Sequence, residues 1–112
     1  MTIDADVQLV ARDFGIDAAL LQSVVDAEGD IVRAVQCSIP AVTTREQALR
    51  VTARSAAHAM CDWIKSGGGD RQHAFVAFWA ARWAPVGAAN DPHNLNANWA
   101  STVDRLWAPA DA

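Results

Sequence analysis

Apolar residues recur every three or four positions along almost the whole chain, and no stretch of four or more alternates apolar with polar in the β-branched company that strands need. That spacing predicts an all-α domain of about five helices. Residues 4–14 form the first, with Val7, Val10, Ala11 and Phe14 on one face and Gly15 as its stop. In the second, Asp17 is an N-cap, Ile16 can staple onto Leu21, the stripe is Leu20, Leu21, Val24 and Val25, and Gly29 ends it. A short helical piece over 30–37 follows, punctuated by Pro40. Thr43-Thr44-Arg45-Glu46 then reads as a capping box, Thr43 capping and Glu46 reaching back. It opens the longest helix, whose stripe is Leu49, Ala53, Ala56, Met60, Trp63 and Ile64. Ser66 and Gly67-Gly68-Gly69 read as a flexible break. Asp70 can cap the next helix, with Phe75, Phe78, Trp79 and Arg82 as its stripe and Pro85 as its close. Asp91-Pro92 opens the last helix, which turns Leu95, Trp99, Val103 and Leu106 inward and ends near Pro109.

A chain of 112 residues has room for one hydrophobic core, so residues 1–112 are read as a single domain. With 52% hydrophobic residues and a mean hydropathy of +0.04, it suits neither a disordered segment nor a membrane span. The net charge of −4 argues against a general nucleic-acid binder, because phosphate neutralisation needs a basic surface. The charge is uneven: residues 1–30 set seven acids against Arg12 alone, and the rest of the chain is slightly basic. Arg33, Arg45, Arg50 and Arg54 form either a solvated helix face or an anion-facing patch. The N-terminus has no basic region followed by an apolar one, so the expectation is cytoplasmic synthesis without a signal peptide. A place at the cell wall or in a virion would then be reached by release or assembly. Cys37 and Cys61 lack metal-ligand spacing and are expected to be buried free thiols. No metalloprotease, nucleophile-elbow or phosphate-cradling motif is present, and no metal or cofactor is expected.

Chemistry concentrates on glutamate, which occurs twice. Glu46 is explained by capping. Glu28 follows Val24 by four and Leu21 by seven, which puts its carboxylate on the apolar stripe of its own helix, in the last turn, where the dipole disfavours an anion. Both effects make ionisation costlier, the direction that suits a general acid. Turning outward at the helix end, or pairing with Arg33, would relieve it instead. Of the five tryptophans, Trp63, Trp79 and Trp99 fall on core stripes, while Trp83 and Trp107 sit at helix ends. Trp83 is the candidate for a half-exposed indole that stacks on a ligand. Asn90, Asn94, Asn96 and Asn98 crowd one helix start, and amides both donate and accept hydrogen bonds. Asn94 and Asn98, four apart, are the stronger candidates, with Asn90 beside them. His58 and Asp62 read as a surface pair at i, i+4.

The run Val24-Val25-Asp26-Ala27-Glu28-Gly29-Asp30 with Arg33-Ala34-Val35 resembles the lysozyme-like lytic transglycosylases, in which a helix ends in the catalytic Glu. The segment from Asn90 to Trp99, with Phe78-Trp79-Ala80-Ala81-Arg82-Trp83 before it, is similar to that superfamily and to small phage or prophage peptidoglycan-degrading proteins. The resemblance implies a small lysozyme-like domain that cleaves the β-1,4 bond between N-acetylmuramic acid and N-acetylglucosamine. Glu28 would be its single acid and base, and Trp83, Asn90, Asn94 and Asn98 would bind peptidoglycan glycan strands. The rival reading is a non-enzymatic virion structural or adaptor protein that packs on other virion proteins through its Trp-rich helices. Neither reading involves nucleic acid or a membrane.

Overall fold

The helices begin and end where short polar side chains and glycines allow. The computed structural model describes residues 1–69, 72–85 and 95–107. Among these there are six α-helices, one 3-10 turn and no strand. Helix α1 (Ala5–Phe14) starts after Asp4 and stops at Gly15, whose φ of 68° is a left-handed cap that other residues adopt at a cost. In α2 (Ala18–Glu28), Asp17 caps the backbone N–H of Ala19, and Gly29 closes the last turn. Asp30 caps the next turn by accepting from the Arg33 N–H at 3.1 Å, so the short piece is a regular helix, α3 (Ile31–Gln36).

The capping box of α4 (Arg45–Lys65) sits one residue later than the sequence suggests. Thr44 accepts from the Gln47 backbone, and the Gln47 amide oxygen accepts in return from the Thr43 and Thr44 N–H groups. The neutral amide reaches back, while Glu46 points outward and meets Arg50 at 3.6 Å. Helix α5 (Gln72–Trp83) follows, and a 3-10 turn (Leu95–Asn98) leads into α6 (Trp99–Trp107). The expected caps at Asp70 and Asp91-Pro92, the inward Leu95 side chain and the stop near Pro109 lie outside the described residues.

The core collects the expected stripes: Val7, Val10, Leu20, Leu21, Val24, Leu49, Ala53, Ala56, Trp79 and Val103 are buried. Ile64, however, is 63% exposed. Trp63, one residue earlier, takes the last inward position of α4 and turns its neighbour about 100° away. Arg82 is also exposed, its guanidinium lying 4.5 Å from the centre of the Phe78 ring. Both cysteines are exposed rather than buried, because α3 and α4 turn other residues inward.

The glycine triplet is a packed corner. The Trp63 indole N–H donates to the Gly69 carbonyl at 2.8 Å, and the Gly68 N–H donates to the Trp63 carbonyl at 3.0 Å. A Cβ on Gly68 would lie 2.1 Å from the Trp63 ring. Only glycine lets the chain pass flat over this indole.

The uneven charge is resolved where α1 packs along α4. Arg45 donates to Asp6 at 2.7 Å and to Asp4 at 2.8 Å, and Arg50 meets Asp13 at 3.1 Å. The Arg45 hydrogen bond holds the Asp6 carboxyl below the usual carboxylate range. Arg54 lies 6.0 Å over the Phe14 ring. Buried Gln22 ties α2 into the same seam, accepting from the Asp4 N–H and donating to Asp4 and Asp26. Two of the four arginines of the run, Arg45 and Arg50, therefore serve as counter-charge to the acidic N-terminal part of the chain. No helix among the described residues is long and apolar enough to cross a membrane.

Candidate functional site

Helices α2 and α6 run antiparallel, and two indoles of α6 grip the two ends of α2. Trp107 donates to the N-capping Asp17 at 3.3 Å, and Trp99 donates to Glu28 Oε1 at 2.8 Å. Glu28 is half-buried. Its position in the last turn of α2 opposes the dipole of that helix, and its partner is the indole of Trp99, the first residue of α6, rather than Arg33. Trp99 is itself fixed edge-on against Trp79, with ring centres 5.3 Å apart at 86°. Trp79 donates to the Ser55 hydroxyl at 2.9 Å. A chain of contacts thus runs from α4 through two buried indoles to one carboxylate oxygen.

Glu28 lines a cleft of about 350 Å³, within the usual range of ~300–1,000 Å³ for small-molecule sites. One wall is α3 and the residues after it, from Ala34 to Ile39, and Val51 of α4 adds a further apolar contact. The other wall is the end of α5, Arg82 to Ala84, together with Asn96 of the 3-10 turn. Trp83 is half-buried on this wall and packs on Trp79, with ring centres 5.9 Å apart, so its ring has a fixed back and a face near the cleft. Asn96 donates to the Pro85 carbonyl at 3.1 Å, which links the turn to the end of α5.

Nothing known matches. Comparison with models of protein families, with curated proteins and with solved structures gives no match over any part of this chain. The site stands on its own geometry.

Of the residues expected to act, the structure brings Glu28 and Trp83 to one cleft. Asn98 is exposed, its carbonyl accepts from the Ser101 hydroxyl, and it is not part of the cleft lining. Asn90 and Asn94 lie outside the described residues. Among the described residues Asn96, on the 3-10 turn, is the amide that reaches the cleft. Sequence reasoning also missed Arg82 on the cleft wall, Cys37 opposite it and the part played by Trp99. Asp62 pairs with Arg82 at 2.7 Å across α4 and α5, while the expected partner His58 acts on it electrostatically without forming an ion pair at contact distance. The Arg82 hydrogen bond holds the Asp62 carboxyl below its usual range.

Asp26 and Asp30 are exposed and engaged with Gln22 and the Arg33 N–H, and neither lines the cleft. Among the described residues the cleft has one carboxylate. No cluster of three metal-ligating side chains occurs among the described residues.

Proposed function

We propose that this is a lysozyme-like domain that cleaves the β-1,4 bond between N-acetylmuramic acid and N-acetylglucosamine in peptidoglycan, with Glu28 as acid and base. The observation that carries the reading is the placement of Glu28: a fixed carboxylate, held through one oxygen by Trp99, on the wall of a cleft that also presents Trp83 and Asn96. With Oε1 engaged, Oε2 is the oxygen suited to proton transfer. Glu28 would protonate the glycosidic oxygen as the bond to the anomeric carbon breaks. The substrate's own N-acetyl group would stabilise the oxocarbenium-like centre. Glu28 would then take the proton of the muramyl 6-hydroxyl as that oxygen closes on the anomeric carbon, giving a 1,6-anhydro end.

Among the described residues the cleft has one carboxylate, which favours this route over hydrolysis by a pair of carboxyl groups, which stand ~5–9.5 Å apart in two-carboxylate glycosidases. Trp83 would stack on the apolar face of a sugar ring, and Asn96 would meet an N-acetyl group or hydroxyl. The rival reading as a virion packing protein draws less support, since Trp63, Trp79 and Trp99 are turned into the core.

The test is release of soluble muropeptides from purified sacculi. Wild type is expected to release them, and Glu28→Gln, a near-isosteric change, to lose about 10²–10⁴-fold in rate. Equal activity of the two proteins, or none in wild type, overturns the reading.

A further inference from the structure

The cleft is electrically mixed. Among the described residues that line it, only Glu28 and Arg82 carry charge, and they come from different elements, the end of α2 and the last turn of α5. Arg82 is also held in place. Its guanidinium lies over Phe78 at 4.5 Å, and Nη1 donates to Asp62 at 2.7 Å. Asp62 does not line the cleft and takes only that nitrogen; Nε and Nη2 have no acceptor among the described residues. A guanidinium fixed by a ring and one carboxylate presents its remaining donors as a fork, which matches the two oxygens of a second carboxylate. A neutral sugar needs only Trp83, Asn96 and Glu28, and has no use for a cation there.

We infer that Arg82 makes the cleft selective for saccharides bearing a free carboxylate, such as the lactyl group of a peptide-free muramyl residue, over neutral ones. This rests on the glycan-cleaving reading above. Without Arg82 the one remaining charge is Glu28, which repels an anion, so removing the cation should reverse the preference and not merely reduce it.

Three probes test this by calorimetric titration of the whole chain, with no turnover needed. They are a neutral N-acetylglucosamine oligomer, a peptide-free N-acetylglucosamine–N-acetylmuramic acid oligomer, and the same oligomer with its lactyl carboxyl converted to the methylamide. Wild type is expected to bind the free acid about fivefold more tightly than the methylamide at low salt, an advantage that shrinks as salt screens the half-exposed pair. Arg82→Gln should bind the neutral oligomer as wild type does, which also shows that it is folded, and prefer the methylamide. Arg82→Lys, keeping charge without the fork, should fall between. Equal affinity of wild type for acid and methylamide overturns the inference while leaving the saccharide reading intact. Failure of wild type to bind any of the three overturns both.

Discussion

The seam between α1 and α4 and the cleft beside α5 both gather acids and arginines, and they use them differently. At the seam the paired arginines are closed by acids: Arg45 by Asp4 and Asp6, Arg50 by Asp13 and Glu46. In the cleft Glu28 is met by a neutral indole, and Arg82 leans on a carboxylate that stands outside. The seam is complete without a ligand. The cleft keeps a carboxylate and an arginine among its lining residues, with no ion pair between them.

That contrast can be broken at three places. The largest effect is expected at the glycine corner, which belongs to neither region. Gly68→Ala should cost about 1–3 kcal/mol in urea unfolding, because its Cβ would force the Trp63 ring away from Gly69. A neutral result would mean that the corner is slack and that the α4–α5 connection does not fix the cleft wall. Next comes Trp99→Phe, which keeps a ring against Trp79 and deletes the donor to Glu28. Stability should fall by about 1 kcal/mol. Muropeptide release should fall roughly tenfold, since a misplaced carboxylate loses the geometry of proton transfer. If stability falls and the rate does not, the indole serves only packing.

The smallest effect is expected at the seam. Arg45→Gln should cost about 0.5 kcal/mol near neutral pH, as the pairs are half exposed, and leave release of muropeptides unchanged. Its sign with pH is fixed by Asp6, whose folded carboxyl titrates below its usual value of 3.8. The contribution is fully present above that value and lost as pH falls through the lowered one, so the gap between wild type and variant should close on acidification. A gap that widens in acid would show that another group controls it.

What could be read in the sequence was local. Asp17, Gly15 and Gly29 were legible because a cap acts within one turn of its own residue. Glu28 stood out for the same reason: stripe and dipole are properties of its own helix. Its partner was not legible, because Trp99 lies 71 residues away and only the antiparallel packing of α2 on α6 brings the indole to it. Arg82 was placed on an inward stripe by its spacing, whereas its charge keeps it at the surface, where Phe78 and Asp62 take it up. Of the two described members of the asparagine cluster, Asn96 rather than Asn98 lines the cleft, since the segment that carries them coils as a 3-10 turn and not as an α-helix.

The central claim is that one carboxylate, Glu28, cleaves glycan strands without drawing on added water. Mass analysis of the sugar ends released from purified sacculi tests it most directly. Wild type should yield muramyl ends lighter by one water than hydrolysed ends, and Glu28→Gln should yield them about 10²–10⁴-fold more slowly. Hydrated ends from wild type, or anhydro ends from Glu28→Gln at the wild-type rate, would contradict it.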